Sequence, residues 1–184
     1  MYHIQTATKK IAFLAMMMAM ITVLSMLEHM LPPLPFLPPN VRLGLSNIIT
    51  MYALFFLGKG SAFLLAVLKS VFILLTRGLT AGFLSFSGGI LALLCIILLS
   101  AVFRHHISYL ALSVCGAIAH NTGQMLAASI ITNTNLLMFY LPVMIFFGVV
   151  MGCVTGTLLK AVMPMFGHIL KSAKSTKSEK EDRL

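Results

Sequence analysis

"GAIAHNTGQMLAASII" occupies residues Gly116–Ile131. Most of it suits the interior of a lipid bilayer, yet His120 and Asn121 stand side by side in it and Gln124 follows one turn later. In hydrocarbon each unpaired hydrogen-bonding group costs roughly several kcal/mol, so a helix here needs something for these groups to meet. At about 100° per residue, His120 and Gln124 lie about 40° apart, Asn121 lies about 60° beyond Gln124, and Gly116 and Gly123 fall on the other flank of His120. One face gathers two glycines and three polar groups, while Ile118, Met125 and Leu126 point elsewhere. That face is predicted to look inward, its glycines letting a neighbouring helix come close.

The rest of the chain supplies the bilayer. Hydrophobic residues make up 59% of the 184 and charged residues 9%, against a charged share of roughly 25% in soluble domains. Three of the four acidic residues, Glu179, Glu181 and Asp182, lie in the tail, leaving only Glu28 elsewhere. The uncharged runs Ile11–Leu27, Leu43–Leu57, Gly88–Phe103 and Leu136–Leu159 read as membrane spans. The expected fold is therefore all-α, a six-helix transmembrane bundle over residues 10–163, with residues 1–9 a short cytoplasmic N-terminus and 164–184 a basic cytoplasmic tail.

The six spans are placed at Lys10–Leu31, Leu45–Leu57, Ser61–Thr76, Gly88–Phe103, Ile107–Ile131 and Leu136–Val162. The first is read as a retained span rather than a cleaved leader, because its apolar part is long and no small-x-small cleavage pattern follows. "LPPLPFLPPN" (Leu31–Asn40) forbids helix, since proline removes donors and biases its neighbours toward extended geometry. The second span is short for a membrane roughly 30 Å thick, which needs about 20 helical residues. "GKG" (Gly58–Gly60) reads as a tight turn, "RGLTAGFLSFSGG" (Arg77–Gly89) as a Gly- and Ser-rich connection, and "TNTN" (Thr132–Asn135) as a break. Cys95, Cys115 and Cys153 all fall inside spans without a CxxC pair and read as small apolar packers, with no disulfide and no metal site.

The basic residues orient this map. With both termini inside, Lys9, Lys10, Lys59, Arg104, Lys160, Lys171, Lys174, Lys177, Lys180 and Arg183 lie inside, and Arg42 and Arg77 outside. Ten against two favours cytoplasmic termini in a plasma membrane, and an odd number of spans would spoil the bias. The net charge of +9 is mostly this topology signal, so no nucleic-acid partner is expected.

Polar residues within the spans are the candidate site. Lys69 lies near the middle of the third span, where a charge costs about 2.5–3.5 kcal/mol on insertion scales. It either pairs with Glu28 as a structural ion pair or faces a cavity suited to an anionic ligand. Glu28 and His29 close the first span and are expected to be solvated at the interface. His120, Asn121 and Gln124 serve either as interhelical glue or as ligand contacts, and Arg77 faces either water and headgroups or the ligand. On the first helix Ala12, Ala15 and Ala19 form one stripe, with Met16, Met17, Met18 and Met20 beside it. Such a stripe admits another helix closely, in ordinary internal packing or in docking with a partner.

These residues carry a resemblance. "VRLGLSNIITMYALFFLG" (Val41–Gly58), "KSVFILLTRG" (Lys69–Gly78), "FLSFSGGILALL" (Phe83–Leu94), "GAIAHNTGQ" (Gly116–Gln124) and "YLPV" (Tyr140–Val143) resemble the Gx transporter family, also labelled heptaprenyl diphosphate synthase component I. That family is similar to the membrane-embedded S components of energy-coupling factor (ECF) transporters. The resemblance covers about Ala12–Leu159. Its most specific pieces are His120-Asn121-x-Gly123-Gln124 and Leu43-Gly44-Leu45-x-Asn47. The family more often has arginine where this chain has Lys69, which keeps the charge but not the bidentate geometry.

The resemblance implies a six-helix S component whose first loop lids the substrate site. The Pro-rich segment sits where that lid would be, and Ala15 and Ala19 match an Ala-x-x-x-Ala stripe that docks on a coupling subunit. It also implies that His120, Asn121 and Gln124 line a site near the outer face, opposite Asn47 and Lys69, with Arg77 at the rim. The function expected is capture of a small polar or anionic solute for an importer, in company with a transmembrane coupling subunit and cytoplasmic ATPase subunits. The chain itself has no GxxxxGK[ST] motif. The family's other label suggests a membrane subunit associated with heptaprenyl diphosphate synthesis. Such synthases bind Mg²⁺-diphosphate through Asp-rich motifs, and this chain has the single aspartate Asp182, so that role is non-catalytic. A ligand-free structural membrane protein is the third possibility, and Lys69 with His120 argues against it. No enzyme activity and no cofactor are expected.

Overall fold

The computed structural model describes residues 7–30, 44–103, 107–135 and 140–161. Across them run six helices: α1 (Ala7–Met30), α2 (Asn47–Phe56), α3 (Lys59–Arg77), α4 (Leu79–Phe103), α5 (Tyr109–Thr132) and α6 (Tyr140–Ala161). The expected all-α fold is what the chain adopts. The lid assigned to the Pro-rich segment and the basic tail fall outside the described residues.

α1, α3, α4 and α6 are each long and apolar enough to cross a membrane. α5 matches them in length at 24 residues and is less apolar because it carries His120, Asn121 and Gln124. α2, with 10 residues, reaches about 15 Å at 1.5 Å per residue, half a bilayer. Large apolar side chains on the outside of the bundle, among them Leu75, Leu79, Phe146 and Ile130, are well exposed. In water they would be a liability; against lipid they are the expected surface. The chain is a membrane protein.

The expected break between the third and fourth spans is wrong in extent. Arg77–Gly89 is not a connection: α4 begins at Leu79 and only Gly78 separates it from α3. Gly78 has φ 90°, which lets the chain reverse in one residue, and its N–H donates to Leu74 O at 3.0 Å. The glycines and serines beyond it remain helical because close neighbours use the space they leave. A Cβ on Gly82 would fall 2.5 Å from the Leu74 Cβ, so the α3–α4 hairpin closes only with glycine there. In a soluble chain the same composition would read as loop; in a bilayer an unsatisfied backbone costs more than a glycine in a helix. The "GKG" turn contracts in the same way to Gly58, with φ 92°, and Lys59 opens α3. The break at "TNTN" appears as expected: α5 ends at Thr132 and Asn133 takes the left-handed cap.

α4 lies between α3 and α5 and packs extensively against both. α5 and α6 run antiparallel along a glycine ladder. Gly148 sits on Ile118, Gly152 on Val114 and Gly156 on Leu110, and a Cβ on Gly152 would lie 2.4 Å from the Val114 Cα. Ser113 Oγ and Thr155 Oγ1, 2.6 Å apart, tie the same two helices. α1 is peripheral and rests on α2 and α3 through the buried stripe Met17, Ile21, Ser25 and Glu28.

Candidate functional site

The polar residues converge where the C-terminal halves of α1 and α3, the start of α2, the first half of α4 and the middle of α5 meet. The α4–α5 contact sets the geometry. Gly123 lies against the backbone of Ser87 and Gly88, its built Cβ 2.8 Å from Ser87 O, and Ser87 Oγ donates to Gly123 O at 2.8 Å. At this spacing the side chains three residues before and one after Gly123 are laid along α4. A Cβ on Gly88 would fall 2.8 Å from His120 Cε1 and Nδ1 and from Gln124 Cγ, so glycine is what admits the imidazole. His120 is 2% exposed, and its Nε2 lies 3.0 Å from Gln124 Nε2. From above, Gly44 covers the ring: a Cβ there would stand 3.0 Å from His120 Cδ2 and 2.7 Å from Asn47 Nδ2.

Lys69 enters from α3. It is 5% exposed, and its Nζ donates to Asn47 Oδ1 at 2.7 Å. Of the two alternatives the sequence left for Lys69, its observed hydrogen bond is not an ion pair with Glu28, since the acceptor is a neutral amide, and its side chain lines a cavity. Glu28 is engaged elsewhere, its Oε1 accepting from Gly44 N. Glu28 is itself 5% exposed, which corrects the expectation of a solvated interfacial carboxylate. The chain at Gly44–Ser46 folds over the end of α1 and buries the carboxylate. His29, one residue on, is exposed as expected. Arg77, the last residue of α3, donates through Nη2 to Ser25 O on α1.

Together these groups line a cavity of about 200 Å³ bounded by Glu28, Lys69, Arg77, His120 and Gln124 and by Ser25, Ser46 and Ser85. The three serines are buried, and their hydroxyls have no hydrogen-bond partner among the described residues. Each such orphan costs about 1–3 kcal/mol. A second, narrower cavity of about 40 Å³ adjoins it and shares Gly44, Lys69 and Ser85 with it.

Asn121 does not belong to this group. Its Nδ2 donates to Met144 O on α6 at 3.2 Å, because about 100° of helix rotation separates it from His120 and turns it toward the other neighbour. Asn47 stands beside the polar cavity and reaches it through Lys69. Sequence reasoning noted Ser46 at the start of the second span without placing it in the site, passed over Ser25, Ser85 and Gly88, and misjudged Glu28. The signal for Ser25 and Glu28 was available in their spacing of four and seven residues from Ile21, which continues the buried stripe of α1. The alanine stripe lies on the opposite side, about 160–220° round from Met17. Ala12, Ala15 and Ala19 are all exposed, so they take no part in packing within the described bundle.

Comparison with known proteins agrees with this architecture. The family model described as heptaprenyl diphosphate synthase component I matches residues 17–162. A solved structure, described as "Structure and mechanism of the S component of a bacterial ECF transporter", superposes with a TM-score of 0.65 at 23% identity. The match covers 90% of this chain and 99% of that one, so the two share a fold. Comparison with curated proteins gives no match.

Proposed function

The chain belongs to the heptaprenyl diphosphate synthase component I family, and from that premise we propose that it is the solute-capture subunit of an ECF-type importer. It binds a small polar or anionic solute at the outer side of the plasma membrane and releases it inward with a transmembrane coupling subunit and cytoplasmic ATPase subunits. The observation that carries the proposal is the polar cavity. A membrane helix bundle that buries Lys69 and Glu28 and three orphaned serine hydroxyls around about 200 Å³ has accepted a cost that a solute repays.

The basic-residue bias supports cytoplasmic termini. With that orientation the end of α1 and the end of α3 face outward, and so does the cavity between them. The site residues of the proposal are Lys69, Asn47, His120, Gln124 and Arg77, with Glu28 and the three serines added. Ala15 and Ala19, exposed on the lipid side of α1, are the docking stripe for the coupling subunit.

Co-expression tests this. A tagged full chain should copurify with coupling and ATPase subunits, and Ala15→Leu should break that association while leaving the chain folded. The family description favours a second reading, a non-catalytic membrane partner of a prenyl diphosphate synthase. Recovery of an Asp-rich synthase subunit in place of the coupling module would establish that reading and overturn the first.

A further inference from the structure

Two cavities meet at Lys69, and their walls differ. Among the described residues the larger carries the charged groups: one carboxylate, Glu28, faces two cations, Lys69 and Arg77, with His29 at the same wall, which with neutral histidines leaves one formal positive charge for a ligand to balance. Lys69 makes the need specific, since a buried ammonium held by the neutral Asn47 oxygen gains most from an added anion. The smaller cavity continues from Gly44, Lys69 and Ser85 into the bundle between α2, α3, α4 and α5. Its walls are mainly apolar, formed by Ile48, Met51, Ala66, Ala92, Leu93 and Ile96. At its deep end Ser113 and Thr155 satisfy one another, and Ile96 Cδ1 covers Gly116. Thr50 Oγ1 and the shared Ser85 Oγ are the exceptions on the wall, buried hydroxyls with no partner among the described residues.

Resting on the reading of the polar cavity as a solute site, we infer that the solute is a monoanionic amphiphile. Its charged head sits in the larger cavity with Lys69 and Arg77, and a short apolar arm enters the neck below. The charge balance sets the head at one negative charge, and the neck at about 40 Å³ limits the arm to a few carbons. A purely hydrophilic anion would leave the neck unused, and a long lipid chain would exceed its volume of about 40 Å³.

The neck can be narrowed without disturbing the head. A Cβ on Gly89 would meet only the Ala66 Cβ, at 3.9 Å, an ordinary contact. Gly89→Ala therefore fits α4, improves its helix propensity, and places a methyl across the neck. The experiment is binding to the full chain in lipid nanodiscs, with a series of straight-chain monocarboxylates from acetate to decanoate as probes. Alcohols of equal length are the uncharged controls. For the wild type, carboxylate affinity should rise about fourfold per methylene and then level off once the neck is filled, with each alcohol at least tenfold weaker. Gly89→Ala should keep acetate binding and lose most of the rise, and Lys69→Met should abolish the preference for carboxylate over alcohol.

Acetate binding that depends on Lys69 but gains nothing with chain length would overturn the amphiphile and leave the solute site standing. An undiminished rise in Gly89→Ala would assign the gain to lipid partitioning and overturn it too. Failure of every carboxylate to bind, whatever its length, would overturn both the amphiphile and the anion-binding site on which it rests.

Discussion

α1 and α5 are equally long, 24 residues each, and both carry small residues at helical spacing, yet they use them in opposite ways. On α5 the small residues are covered: Gly116, Gly123, Ala127 and Ala128 are buried, and α4 and α6 come in close over them. On α1 the corresponding stripe, Ala12, Ala15 and Ala19, is bare, while its larger residues Met17 and Ile21 face the bundle. Because lipid is as apolar as leucine, association in a bilayer is driven by close packing and polar contacts rather than by burial from water. A small-residue stripe therefore marks a helix contact, and the fold shows whether that contact is already made. On α5 it is made, and it delivers His120 and Gln124 to the cavity. On α1 no helix of the described bundle makes it.

Substitutions on the two helices' contacts should separate sharply. The largest loss is expected for Gly152→Val, because even the first added carbon would stand 2.4 Å from the Val114 Cα on α5. Overpacking of this kind costs about 3 kcal/mol or more where backbone must move, and it should appear as a marked fall in thermal stability in detergent. Lys69→Ala comes next. It should reduce solute affinity by about a hundredfold, the roughly 3 kcal/mol expected of a buried charge partner, in equilibrium binding, with thermal stability unchanged or raised. Asn121→Ala should cost about 1 kcal/mol of stability by releasing the Met144 carbonyl, and it should leave solute binding intact. Ala15→Leu should shift stability by no more than about 0.5 kcal/mol, since the side chain is exposed, and should still abolish copurification with a coupling subunit. Equal destabilisation by Gly152→Val and Ala15→Leu would erase the contrast between the two helices.

Much of this was legible in the sequence, in particular ways. The spacing of His120 and Gln124 and the charge of Lys69 were enough to demand an inward polar face, and the "TNTN" segment placed its break. Helix phase gives faces, however, and not neighbours. Asn121, 100° on, meets α6 instead of α4, and nothing local distinguishes the two. The start of α4 was hidden because glycine and serine read as loop by the rules of water, whereas here Gly82 and Gly88 are where α3 and His120 come close. Glu28 was misjudged because its depth depends on Gly44–Ser46 folding back over it, a long-range contact across 16 residues. The glycine ladder at Gly148, Gly152 and Gly156 was open to view at a four-residue interval and is what fixes α6.

The central claim is that Lys69 and its cavity hold an anionic solute. The most direct measurement is mass spectrometry of small molecules released from the purified full chain, comparing wild type with Lys69→Ala and Asn121→Ala prepared identically. The account predicts an anion present near one equivalent in the wild type and in Asn121→Ala, and depleted at least tenfold in Lys69→Ala. The same anion retained at full occupancy by Lys69→Ala, or no anion enriched in the wild type over that variant, would contradict it.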